Sequence, residues 1–251
     1  LDRWLLSELH TLVRDVTHAL VTYDVPGATR PIQAFVDHLS KWYLRRSRRR
    51  YWKSESDADK DAAYATLYEV LVTLAKLLAP TMPFLAEELF QNLVRSLNRE
   101  TPESIHLADW PEYNEQMIDE RLNADMELVM RFASLGHAAR NQAAIKVRQP
   151  LSEAAFSISG TGEASALEQY ADLLADELNV KQIRVLGSTG EAVSYTLNPL
   201  PKQLGQKYKG QFPAVRAAII ELDSEKTARS LLEGQPIQVI VNGETLDILP
   251  D

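Results

Sequence analysis

Apolar positions recur at three- and four-residue spacing through the first 150 residues, which is the period of one helix face. Leu5, Leu6, Leu9, Leu12, Val13, Val16, Ala19 and Leu20 predict a first helix, and Tyr23–Ala28, with Pro26 and Gly27, predicts its break. Ile32, Phe35, Val36, Leu39, Trp42 and Tyr43 predict the core face of a second helix. Ser56 with Asp57 and Asp59 is an N-terminal signal for a third, whose face is Ala63, Leu67, Val70, Leu71, Leu74, Leu77 and Leu78. Pro80 stops it. Thr81 and Pro83 restart the chain, and Phe84, Leu85, Leu89, Phe90 and Leu93 give a fourth stripe. Residues 99–117, with Pro102 and Pro111, predict a loop, and a fifth, longer helix runs from about Asp119 to Ala144. This order predicts an up-and-down helical bundle.

The texture changes after Pro150. Ala154–Ser159, Gln182–Leu186, Val193–Leu197 and Ile237–Val241 are short strand-like runs, and Gly160, Gly162, Gly187, Gly190 and Gly243 mark turns. Helical stretches lie between them near Glu163–Leu178, Pro213–Leu222 and Ser224–Glu233. The expected fold is therefore a helical bundle over 1–150 followed by a smaller mixed α/β (α+β) domain over 151–251. A helical pattern already running by Leu5 reads as a piece of a longer protein, and a strand shortly before Asp251 leaves open whether the chain continues.

Composition narrows the classes. The 251 residues include no cysteine, so disulfides and thiolate metal sites are excluded, and cytoplasmic residence is the expectation. No run approaches the roughly 18 apolar residues of a spanning helix, since Leu67–Leu78 carries Glu69 and Lys76. The net charge of −8 would argue against a polyanionic partner if it were spread evenly. It is not. Residues 41–53 hold seven cations and no acid: Lys41, Arg45, Arg46, Arg48, Arg49, Arg50 and Lys53. Salt screens beyond about 10 Å, so a polyanion at close range meets this patch and not the total.

No catalytic constellation emerges. The five histidines (His10, His18, His38, His106 and His137) show no metal spacing, and His10 and His18 read as surface residues. There is no phosphate-binding GxxxxGK[ST], Gly160-Thr161-Gly162 lacks a third glycine, and no Gly-x-Ser-x-Gly occurs. Glu87 and Glu88 are adjacent and read as a solvated face, not an acid/base pair.

The basic segment is the strongest signal. Arginines neutralise phosphates, and exposed aromatics offer platforms for unstacked bases of RNA loops. Trp42 and Tyr43 continue the apolar stripe and belong to the core, whereas Tyr51 and Trp52 are open to either use. The candidate RNA-binding set is Lys41, Arg45, Arg46, Arg48, Arg49, Arg50, Trp52 and Lys53, extended by Arg140, Lys146 and Arg148, with Arg131 near that second cluster. A third cluster, Lys202, Lys207, Lys209 and Arg216, reads as a mobile surface loop around Gly205 and Gly210.

These residues resemble one family. Leu1-Asp2-Arg3-Trp4 is similar to the entry of the anticodon-binding domain of class I aminoacyl-tRNA synthetases for branched aliphatic amino acids. FVDHLSKWYLRRSRRRYW (Phe35–Trp52), LLAPTMPFLAEELFQNL (Leu77–Leu93), IHLADWPE (Ile105–Glu112), ARNQAAIKVRQPL (Ala139–Leu151), LADELNVKQI (Leu174–Ile183) and LNPLPKQLGQKYKGQFPAVRAAI (Leu197–Ile219) resemble the isoleucyl branch, in family order. The valyl branch is the alternative. It usually has an acid after the Trp-Tyr pair, where this chain has Leu44 and Arg45. The resemblance implies a bundle that grips the anticodon stem-loop of isoleucine tRNA, followed by a junction domain. The family's ATP-site signatures and editing domain do not occur, so the chain is expected not to catalyse alone. ATP and the catalytic domain would belong to the parent polypeptide, zinc is not expected, and a monomer is. Two other readings stay open: a mainly structural docking module and a non-specific RNA-binding bundle.

Overall fold

The structure is a computed structural model that describes residues 1–53, 57–158, 161–186, 197–232, 234–241 and 244–248. The expected cap at Ser56, the turns at Gly160, Gly187, Gly190 and Gly243, and the strand at Val193–Leu197 except its last residue lie outside the described residues. The chain divides into two compact units, Leu1–Arg131 and Phe132–Asp251. The first strand begins at Leu151, directly after the expected boundary at 150.

In the first unit, α1 (Asp2–Val21) buries Leu5, Leu9, Leu12, Val13, Val16 and Ala19. The Pro26-Gly27 pair does not form a loop. It lies in the first turn of α2 (Val25–Asp37), where proline's missing N–H leaves no bond unmade. The Asp24 carboxylate caps that turn by accepting the Gly27 N–H at 2.9 Å. A Cβ on Gly27 would stand 2.1 Å from Asp24 Oδ2, so the cap requires glycine.

α2 runs on through a π-helical segment, His38–Leu44, into α3 (Arg45–Lys53). Phe35, Leu39, Tyr43 and Ser47 are all buried at four-residue steps. Such steps overshoot an α turn by about 40° each. The wider π turn takes up that drift and keeps the buried row on one line.

α4 (Asp57–Leu78) and α5 (Pro83–Phe90) complete the helices of the bundle before α6. Ala75, Ala86, Phe90 and Ile105 form one core cluster between them and the following loop. Phe84, expected in the apolar stripe, is 91% exposed. Ala86 and Phe90 define the inward row, and Phe84 lies about 200° round the helix from Ala86. The loop expected at 99–117 is tied down. Glu87 Oε2 accepts the Ser104 hydroxyl at 2.7 Å and the Ile105 N–H at 3.0 Å. The Trp110 indole N–H donates to Thr17 Oγ1 at 2.8 Å, and the Asn114 N–H donates to His10 Nδ1 at 3.3 Å. Glu87 is thus a loop anchor and not part of a solvated face, and His10 is a half-buried acceptor. α6 (Glu120–Gln142) adds Met126 and Val129 to this unit's core.

In the second unit, the later part of α6 is followed by β1 (Leu151–Ser157), α7 (Thr161–Gln169), α8 (Ala171–Leu178) and β2 (Val180–Leu186). The strands pair in parallel, with Leu151 opposite Val180 and Phe156 opposite Val185. The single helix expected over Glu163–Leu178 breaks at Tyr170, whose φ of −115° and ψ of 24° leave the helical region. α8 ends on Asn179 in the left-handed conformation, which asparagine tolerates. Phe132 packs edge-on against Phe156 at 5.1 Å.

The remainder holds α9 (Pro201–Tyr208), α10 (Phe212–Ile220), α11 (Ser224–Leu232) and the antiparallel hairpin of β3 (Ile237–Val241) with β4 (Glu244–Ile248). Ile237, Val239 and Val241 alternate inward onto Val215 and Ile219. The lysine-rich stretch expected to be a mobile loop is the helix α9. Leu204 and Tyr208 hold it against this core, four residues apart on one face. The architecture is a helical bundle followed by a mixed α/β part, as expected.

Candidate nucleic-acid interface

The cations of α3 divide into a structural group and an exposed group. Arg50 faces inward. Its Nη1 and Nη2 donate to Asp2 Oδ1 and Oδ2 at 2.6 and 2.7 Å, and its Nε lies 3.0 Å from both oxygens of Asp59. Asp2 also accepts the Tyr43 hydroxyl at 2.8 Å. The Arg50 and Asp2 side chains are largely covered, at 21% and 26% exposure. Bonding to Arg50 holds the Asp2 carboxyl below its ordinary range, and burial together with Asp2 pushes the Tyr43 phenol up. Arg50 thereby fastens the first turn of α1 and the first turn of α4 to the basic helix.

Arg45 and Arg46 lie over the buried Trp42 ring, with guanidinium carbons 5.9 and 5.5 Å from its centroid. Arg45 Nε also donates to the Lys41 carbonyl at 2.8 Å. Lys41 pairs with Asp37 at 2.9 Å, an exposed i,i+4 bridge that a phosphate could displace cheaply. Arg48 and Arg49 are exposed. Trp52, one turn beyond Arg48, is 80% exposed. Tyr51 is half-buried and meets Tyr64 of α4 edge-on at 5.1 Å. The side chain of Lys53 lies outside the described residues. The remaining exposed cations can neutralise phosphates, and Trp52 can stack on a base.

The second cluster, in the other unit, is also divided. Arg140 is 4% exposed and so is not a surface contact. Its guanidinium donates to the carbonyls of Lys146, Gln149 and Asn179 at 3.1, 3.0 and 3.1 Å. Asn179 reinforces the same turn, donating from Nδ2 to the Val147 carbonyl at 2.9 Å. Lys146 and Arg148 stand exposed on the segment that Arg140 pins. Lys202, Lys207, Lys209 and Arg216 of the third cluster are exposed on ordered helices and their connection.

Sequence reasoning assigned Asp2 no role. Its partner lies 48 residues away, and no local pattern signals a pair at that distance. Among the described residues, no group of three or more His, Cys, Asp or Glu is placed to hold a metal ion, and no helix is long and apolar enough to cross a membrane.

Comparison with known proteins matches residues 2–155 to the family described as the anticodon-binding domain of tRNA ligase. The chain is 45% identical over 252 residues to the isoleucine–tRNA ligase of Thermus thermophilus, covering 100% of this chain and 24% of that protein. It is 40% identical over 248 residues to the isoleucine–tRNA ligase of Clostridium acetobutylicum, covering 99% and 24%. The isoleucine–tRNA ligase of Dehalococcoides mccartyi is 52% identical over 185 residues, covering 74% and 18%. The chain spans about a quarter of the length of the curated relatives it matches. With a helical bundle under a basic-aromatic helix and a family match over most of the chain, this protein belongs to the anticodon-binding domain family of tRNA ligases.

Proposed function

We propose that the chain binds the anticodon stem-loop of isoleucine tRNA through α3, acting within an isoleucine–tRNA ligase. The observation that carries this reading is the division of α3. Arg50 is committed to Asp2 and Asp59, which leaves Arg48, Arg49 and Trp52 exposed on a rigidly fastened helix. Arg45, Arg46 and Lys41 add cations along the same helix, and Lys146 and Arg148 contribute from the second unit. Arg140 acts indirectly, by fixing the segment that carries them. Phosphate contacts set affinity and register, while unstacked loop bases supply selectivity. Ligation of isoleucine with ATP would fall to the catalytic domain of the same polypeptide. The working form would be a monomer in the cytoplasm.

The test is a titration of the chain with isoleucine tRNA and valine tRNA at two salt concentrations. Tighter binding to isoleucine tRNA with a steep salt slope is expected. Changing Arg48 and Arg49 to alanine should weaken binding to both tRNAs and flatten the log–log slope by about 0.7–0.9 for each phosphate no longer neutralised. Equal affinity for the two tRNAs would refute the isoleucine assignment. No binding at low salt, or a slope unchanged by the double substitution, would refute the role of α3.

A further inference from the structure

Two tyrosines on α4 stand beside the basic helix. Tyr64 and Tyr68 are 50% and 44% exposed, and neither hydroxyl has a hydrogen-bond partner among the described residues. They are four residues apart and so are neighbours on one helix face. α3 packs on α4, and the contact between them includes the Tyr51–Tyr64 pair, with ring centroids 5.1 Å apart. Tyr51 lies one turn beyond the exposed Arg48. A continuous surface therefore runs from cation to half-buried ring to two exposed rings: Arg48, Tyr51, Tyr64, Tyr68.

We propose that Tyr64 and Tyr68 are a stacking platform for unpaired RNA bases, carrying the interface of α3 onto α4. This rests on the reading that α3 holds the RNA backbone. The chemistry favours bases over phosphates at this place. The start of α4 carries Asp57, Asp59 and Asp61 against the single cation Lys60, so the helix that bears the tyrosine row exerts no net pull on phosphate. The row's exposed groups are aromatic rings, and every base has a π-face to stack on a ring. The cations one helix away keep the backbone on α3 while bases swing across. The interior of a duplex, whose bases are stacked on one another, offers these rings no free base face.

The test uses the chain with two probes: an RNA hairpin with an open, unpaired loop, and a blunt RNA duplex of the same stem. Changing Tyr64 and Tyr68 together to alanine should weaken hairpin binding about five-fold or more and leave duplex binding unchanged. Changing both to phenylalanine should retain hairpin binding, because the ring carries the contact. Tyr68→Ala alone leaves the Tyr51 contact intact and carries the test if the double substitution lowers the melting midpoint. Unchanged hairpin affinity in the alanine variants, with weaker binding on changing Arg48 and Arg49, would overturn the platform and leave the α3 reading standing. Unchanged binding in both sets would overturn both. An equal weakening for hairpin and duplex would also overturn the platform.

Discussion

Changing Arg50 to alanine removes two charge-assisted bonds to Asp2 and the contact with Asp59 in one step. Asp2 would keep the Tyr43 hydroxyl but lose its guanidinium partner while three-quarters covered. Hydrogen bonds to charged groups contribute about 1.5–3 kcal/mol each. The residual exposure of Asp2 and the greater exposure of Asp59 place this cluster toward the lower end, at about 2–3 kcal/mol in all. That corresponds to a fall of about 4–10 °C in the melting midpoint. Lysine should restore only part of it, because a point charge cannot span both oxygens of Asp2 and reach Asp59. The pH dependence has a defined sign. The Asp2 carboxyl is depressed in the folded state, so its contribution is present above the ordinary carboxylate pKa of about 4 and is lost as pH falls through the lower folded value. Thermal melts from pH 7 to pH 3 should show the parent and the alanine variant converging in acid. The same variant, titrated with RNA, should keep its salt slope, because Arg50 meets carboxylates and not phosphates. An unchanged melting midpoint together with a flattened salt slope would refute the assignment and make Arg50 a phosphate ligand.

Arg140→Ala should leave the Gln149 carbonyl without a donor, at about 1–3 kcal/mol, while the Lys146 and Asn179 carbonyls lose one of two donors and keep the Gln149 and Leu151 N–H groups. Hydrogen exchange should accelerate across residues 143–150, and unaltered protection there would refute the pinning role. Glu87→Gln should weaken the anchoring of the Ser104–Ile105 turn. The Glu87 carboxyl is depressed chiefly by the Ser104 hydroxyl, then by Gln91. Its contribution is therefore present above the ordinary glutamate range and lost below it, and the parent protein should lose more stability than the variant between pH 6 and pH 3. Identical acid limbs in the two proteins would count against the anchor.

The helical half was legible because a buried helix face writes its period into the sequence. Leu5 through Ala19 fold as their spacing predicts, and so do Ile32, Phe35, Leu39, Trp42 and Tyr43, whereas Val36, expected on the same face, is exposed. The departures arise where a local signal has two structural uses. Pro26-Gly27 ends one helix in the sequence, yet the same pair opens the next once Asp24 caps it. The helix α9 was hidden by Gly205 and by lysines that resemble a loop, while Leu204 and Tyr208 hold it to the core. For the interface, composition located α3 but could not sort its arginines. Arg48 and Arg50 are chemically identical, and only the distant Asp2 distinguishes them. Arg140 posed the same difficulty more sharply, since its partners are backbone carbonyls that no side-chain pattern reveals.

The Asp2–Arg50 bridge also bears on the order of folding. It closes a loop of 48 residues, whose ends meet only after α1, α2 and the π segment have formed and turned back on one another. Loop closure of that span carries an entropic cost that local helical contacts avoid. A contact whose closure waits on those elements should have a φ-value near zero, so Arg50→Ala should speed unfolding and leave the refolding rate unchanged in stopped-flow measurements; slower refolding would place the bridge in the folding nucleus.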